Sequence, residues 1–428
     1  MTRIPLVLAA AVVAALGALV VPAAQAAGVA QPAPAAGWAR AVRLHLPSNA
    51  AAGTGGLLDG VACPTAVSCT VIGGYEGSTG KYLVMVDSLS AGRWGKASQV
   101  LLPANAAANP TATPHGIACS GAGSCVVVGT YYYGDGSRYA DFVATQSRGR
   151  WSRARSIAPP SGAASPPSYQ LIGVSCPAAG SCEAIGEYEV KNGSTELMAI
   201  AEQAGRWGKA VTVRPPGNGE QVPRVNYATG ISCHLKGDCT AVGEYNDTSG
   251  RFQAFAVTES GGRWRQAAEI SLPVGHAVSP AAVLRGVSCF TTTSCVAVGT
   301  YASTAGPFFG LAATESGGHW RQGVRISLAP ADVAASTGLD KVACDSAGAC
   351  TAVGGYYTGS YSGAAAVTLA RGHWGATENI TLPAGARTGT SSSAVLTAIA
   401  CPSGCVGVGY YLTLTGIDLP MATIGPKP

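Results

Sequence analysis

Four residues of types that could hold or act on a polar ligand stand at equivalent places in this sequence. Asp59, His115, Arg285 and Asp340 each lie four residues before a cysteine. The same offset from three further cysteines gives Ile172, Thr229 and Thr397. A repeat that closes into a ring would bring all of these to one rim. A mixed set of Asp, His and Arg there could grip a polar ligand. As catalysts they would have to perform glycoside cleavage, which needs paired carboxylates, or a tyrosine nucleophile with an acid and an arginine cluster. Asp59, Asp340 and Arg285 are the one convergent set that can be nominated for that. Only 22 acidic residues are dispersed over 428, so no catalytic set stands out and ligand binding is the stronger expectation. The competing structural reading is that these are unrelated rim residues.

The cysteines carry a second chemistry. Fourteen occur as seven close pairs: Cys63 and Cys69, Cys119 and Cys125, Cys176 and Cys182, Cys233 and Cys239, Cys289 and Cys295, Cys344 and Cys350, Cys401 and Cys405. Zinc would want four ligands together, and the whole chain holds six His. No Cys-x-x-Cys occurs, so redox and haem-attachment motifs are lacking. Free thiols remain as an alternative, but with an export-type N-terminus local disulfides are favoured. Each would close a loop of about seven residues, worth roughly 2 kcal/mol on the chain-entropy model. An Asp-rich calcium loop is also missing, so neither a metal nor another cofactor is expected.

The elements that must position these residues follow from the period. Successive pairs start 55 to 57 residues apart, and seven tryptophans from Trp38 to Trp374 keep the same beat. A tyrosine recurs two residues after each Val/Ile-Gly of the unit, at 75, 131, 188, 245, 301, 356 and 411. In the unit from Leu284 to Pro330, four strands are predicted: Leu284 to Cys289, Ser294 to Tyr301, Phe308 to Thr314 and Trp320 to Leu328. Four antiparallel strands per period is the content of a propeller blade, and no helical periodicity competes. The stretch from Trp38 to Pro47 matches a fourth strand, and Leu419 to Ile424 matches a third. Together they complete a seventh unit. The expected fold is therefore all-β, a seven-bladed propeller over 38–428 closed by its N-terminal strand. A closed ring also removes the unpaired sheet edge that invites aggregation. The tryptophans are expected to be packing residues, since a ligand rarely needs seven equal sites. The tyrosines are expected to be structural too, with a tyrosine ring on one face as the alternative ligand surface.

Residues 1–26 read as a signal peptide: Arg3, an apolar stretch from Ile4 to Val21, and an Ala24-x-Ala26 ending. Residues 27–37 read as a linker. An uncleaved anchor is the competing reading, because the apolar stretch approaches spanning length. A secreted or cell-surface location follows, with no membrane attachment after cleavage. The net charge of +5 comes with no run of Lys or Arg, so nucleic acid is not an expected partner.

Between the third and fourth strands, Thr258-Glu-Ser-Gly-Gly-Arg-Trp264 and Thr314-Glu-Ser-Gly-Gly-His-Trp320 resemble degenerate Asp-box (BNR, sialidase-type) repeats. Glu259 and Glu315 stand where that family has Asp, while Leu89, Gln146 and Leu369 break the pattern. The resemblance implies a propeller, with these turns structural and away from any active centre. The unit also resembles uncharacterised secreted repeat proteins of high-GC bacteria.

Strand alternation puts turns one–two and three–four on one face and loops two–three and four–one on the other. The latter are long and irregular in sequence, as at 104–115, 159–170 and 215–227, and form the candidate binding face. The leading expectation is a monomeric, non-catalytic binding module for a polysaccharide or a surface protein. A sialidase-like glycoside hydrolase and a structural or adhesive surface protein are the alternatives.

Overall fold

The computed structural model describes residues 37–164, 168–220, 224–328, 336–346 and 349–428. The expected signal segment 1–26 and the linker, Gly37 excepted, lie outside the described residues, as do 165–167 and 221–223 of the long loops. Seven antiparallel sheets are arranged as blades, and the innermost strand of each meets those of its two neighbours, blade 7 against blade 1 included.

Blade 5 shows why the sequence folds this way. Its strands are Val283–Thr291, Ser294–Ala302 and Phe308–Ser316, followed by the short pieces His319–Trp320 and Val324–Ile326. The second strand, Ser-Cys-Val-Ala-Val-Gly-Thr-Tyr-Ala, is buried at seven successive positions. A strand packed on both faces by neighbouring blades cannot alternate apolar with polar, and so reads as one apolar run. Its Gly299 answers a close approach: a Cβ there would stand 2.0 Å from the Val283 carbonyl oxygen. The third strand turns into the fourth through Gly317 and Gly318, with φ of +61° and +79°. Two successive positive φ values make the tight hairpin whose twist suits the flanking strands.

The fourth strand departs from expectation. Rather than one stretch of nine residues it is split, because one extra residue lies between the two pairings Glu315↔Trp320 and Ala312↔Val324. That is a β-bulge. Ring closure is as expected: Val42–Arg43 pairs with Asp418–Gly425 at Val42↔Ala422 and Arg43↔Met421.

All seven expected cysteine pairs are disulfides; six join the first and second strands of their blade, and in the seventh Cys401 lies just past the end of the first strand. This points to an oxidising compartment. The tryptophans are half-buried and pack against the blade cores. The recurring tyrosines are 0 to 8% exposed, which removes them as a ligand surface.

Three of those tyrosines reveal order in loops that look irregular. Tyr75, Tyr131 and Tyr245 donate to the Oδ1 atoms of Asn49, Asn105 and Asn218, at 2.9, 2.8 and 2.9 Å. The four–one loops carrying these Asn also bridge the two–three turns, as at Ala50↔Gly77 and Ala106↔Tyr133. The three loops share a short Pro-x-Asn signature, Pro47 to Asn49, Pro103 to Asn105 and Pro216 to Asn218, closed by a backbone bond from the residue after each Asn to the Pro carbonyl, while the rest of each loop varies. Asn105→Ala should destabilise the protein by about 1–3 kcal/mol, the cost of a buried donor left unpaired. Adding Tyr131→Phe should recover part of that loss in urea melts. An Asn105→Ala midpoint equal to wild type would refute this role.

Candidate functional site at the channel mouth

The seven positions four residues before the first cysteine of each pair share one local geometry. In every innermost strand the pairing register shifts there: Leu58 and Gly60 flank the unpaired Asp59, and Leu339 and Lys341 flank Asp340. The remaining five shift in the same way. The bulge sits against the glycine of the Val/Ile-Gly-x-Tyr motif, whose missing side chain leaves room for the strand in front of it. Bulged residues break the ladder and re-aim their side chains. The ring was thus legible in the sequence, but the bulge that creates it was not.

The ring positions then divide by what they bond. Thr397 donates to the Leu58 carbonyl at 2.6 Å, and Thr229 donates to that of Leu284. Both clasp one blade to the next and are spent on structure. Ile172 is an apolar lining residue. Asp59 and His115 line the central channel, a cavity of about 170 Å³. Arg285 and Asp340 line an adjoining cleft of about 410 Å³ among blades 5, 6 and 7. The four nominated residues therefore face two neighbouring cavities rather than one.

In the cleft, Arg285 Nη1 donates to Asp340 Oδ1 at 2.8 Å. Arg285 is 45% exposed along its side chain, and its other guanidinium nitrogens make no hydrogen bond among the described residues. Burial raises the Asp340 carboxyl, and Arg285 opposes that shift. The cleft walls include Phe308 and Tyr357, 41% and 53% exposed.

Lys341 is a functional candidate that sequence reasoning passed over. It follows the bulge where five blades have glycine, at positions 60, 116, 173, 230 and 286, and that replacement was the available signal. Its Nζ donates to the carbonyls of Arg285, at 2.7 Å, and Thr229, at 3.1 Å. It thereby ties blade 6 to blades 5 and 4 across the channel. Burial lowers its pKa to about 8, with Asp340 opposing.

Burial dominates the channel. It pushes the Asp59 carboxyl up to about 7 and the His115 imidazole down to about 4. His115 is therefore neutral at physiological pH, with Nε2 3.2 Å from Thr130 Oγ1. Tyr82 is pushed up to about 12, by burial and by the charges of Asp59 and Asp418. Tyr410 is raised by burial and by Asp418, Asp340 and Asp59. Among the described residues no group of three or more His, Cys, Asp or Glu is placed to hold a metal ion.

No protein-family model and no curated protein sequence matches the chain. Solved structures do resemble it in shape. A protein of unknown function from Dyadobacter fermentans is 10% identical with a TM-score of 0.44, covering 91% of this chain and 98% of its own. A neuraminidase-like protein from a flat-faced bat isolate of Peru is 12% identical with a TM-score of 0.42, over 94% and 98%. An ulvan lyase of a new polysaccharide lyase family is 10% identical with a TM-score of 0.47, over 92% and 96%. Likeness at this level of identity bears on fold alone and carries no chemistry across.

Proposed function

We propose that the protein is an exported, non-catalytic binding propeller that takes a polysaccharide segment in the cleft among blades 5, 6 and 7. One observation carries this reading. The exposed Phe and Tyr side chains noted among the described residues, Tyr132, Tyr227, Phe308 and Tyr357, all belong to the face of the two–three and four–one connections. Two of them flank the Arg285–Asp340 pair. An aromatic wall accepts the apolar face of a sugar, and a charge pair orders its hydroxyls. Export would be directed by residues 1–26, cleaved after Ala26. In this reading the Glu259 and Glu315 turns are degenerate Asp-boxes that shape blades: both carboxyls are buried, at 6 and 3% exposure.

Glycoside cleavage is the second reading, favoured by Asp59, whose pKa near 7 suits a general acid. Against it, Tyr82 and Tyr410 are held above the ordinary phenol value, opposite to the activation a tyrosine nucleophile requires.

The test is a glycan panel with the oxidised protein. A saturable ligand should bind about tenfold more weakly to Arg285→Ala and to Tyr357→Ala, the latter leaving the ion pair intact. A blank panel, or affinities untouched by both changes, rejects the proposal. Sugar release abolished by Asp59→Asn would put hydrolysis in its place.

A further inference from the structure

A second charged feature lies on the outer rim, formed by the fourth strands. The eight-residue segments starting one residue before each Trp hold 13 of the 27 Lys and Arg but only 2 of the 22 Asp and Glu. Along the chain these cations are thinly spread. The ring collects them into a belt, interrupted at blade 6, whose segment holds none, because every fourth strand is the outermost of its blade. Charges on edge strands discourage edge-to-edge pairing, which is reason enough for the belt. That does not account for what happens between blades 2 and 3.

There a groove of about 870 Å³ runs between two fourth strands. Arg150 and Arg155 face it from blade 2, and Arg206 and Lys209 from blade 3. All four are exposed, and none has an ion-pair or side-chain hydrogen-bond partner among the described residues. Arg153, by contrast, is spent on the Leu102 carbonyl at 2.8 Å. Among the described residues the one acidic residue lining the groove is Glu202, 4% exposed, and burial raises its carboxyl toward the neutral form. Four exposed, unpaired cations lining one groove give it a local positive potential that attracts an anion.

We propose that this groove is a second binding site, for a linear acidic polysaccharide carrying carboxylate or sulfate groups. Two observations favour that polyanion over nucleic acid. The disulfides point to an oxidising, extracellular setting. Among the described residues the groove's one aromatic lining side chain is Trp207, half-buried against the core, whereas a strand of stacked bases is held by a series of exposed rings.

Dextran sulfate, polygalacturonate, neutral dextran and oligo-dT, each immobilised, would be titrated with the oxidised protein at two salt concentrations. Both acidic polysaccharides, or one of them, should bind saturably and neutral dextran should not. Arg150→Ser with Arg206→Ser should weaken that binding about a hundredfold, roughly tenfold for each cation, and flatten its salt dependence. Arg155→Gln with Lys209→Gln is the second pair, should the first lower the melting temperature. Arg265→Ser with Arg321→Ser, on blades 4 and 5, should change the affinity less than threefold. Tyr357→Ala should leave it unchanged, which separates this site from the channel-mouth cleft. The proposal is overturned by no saturable binding to either acidic polysaccharide or by tighter binding to oligo-dT. Equal losses from the blade 4–5 pair overturn it too, since they would mean a diffuse belt rather than a site.

Discussion

A chain lacking residues 37–47 should fail to form a closed monomeric ring and should aggregate. These residues supply the fourth strand of blade 7, and without them the edge of Asp418–Gly425 lies open. Backbone bonds from Ala39 to Ile424 and from Leu44 to Pro420 disappear, at 2.8 and 3.0 Å, with the 2.7 Å bond from Thr423 Oγ1 to the Ala39 carbonyl. Packing is lost as well. Leu44 is 3% exposed, Trp38 covers Gly407 and Gly425, and Leu46 covers Gly56. A fully buried leucine such as Leu44 is worth about 1.5–3 kcal/mol and the half-buried Trp38 and Leu46 add to it, a sizeable part of the net stability of a domain, about 5–15 kcal/mol. A bare strand edge then adds a template for self-association. Size-exclusion and thermal melts of the truncated chain check this. A monomer melting with wild type would show that the ring is held closed without its N-terminal strand.

Stability should also fall as pH rises from about 4 to about 8, by several kcal/mol. Five buried carboxyls set the direction. Burial lifts Asp87 to about 6, Asp59 to about 7, and Glu183 and Glu187 to about 8, with Asp141 well above its ordinary value. Asp141 Oδ2 and Glu187 Oε2 have no hydrogen-bond partner, so ionising either leaves a buried charge that a single backbone donor satisfies only in part. Below the unfolded values near 4 both states are protonated and the fold keeps its full stability. As pH climbs, the unfolded chain releases these protons first and is progressively favoured. The contribution is gone once pH passes the folded values. His115 works the other way, losing its contribution as pH falls from the ordinary histidine value toward 4, but it is one group against five. Lys341, lowered to about 8, acts in the same sense as His115 but at higher pH. The melting temperature should therefore be higher at pH 5 than at pH 8, and Glu187→Gln should narrow the gap. A flat or rising trend would contradict the buried acids as the controlling groups.

Much of this architecture is legible in the residues because its causes are local and repeated. A disulfide between facing positions needs only two cysteines at a short, fixed spacing. A hairpin needs its glycines, and a strand walled in by neighbouring blades declares itself as an apolar run. The Trp and Tyr beat reports packing for the same reason: each ring meets the same surroundings seven times. The positions of Asp59, His115, Arg285 and Asp340 followed from counting within that repeat.

What those residues do was decided elsewhere. Thr229 and Asp340 occupy equivalent places, yet one is consumed in clasping blades and the other pairs with Arg285 at 2.8 Å across a blade boundary. No local rule separates them, because their partners come from other repeats. Lys341 reaches two other blades from a position where the sequence shows only a missing glycine. The rim cations likewise become a belt only when seven fourth strands are set side by side. The sequence by itself determined the blade, the number of blades and the covalent staples, since each depends on residues a few places apart. The pairing of charges, the bulged ring and the basic groove were decided by closure, which brings together residues one or more periods distant.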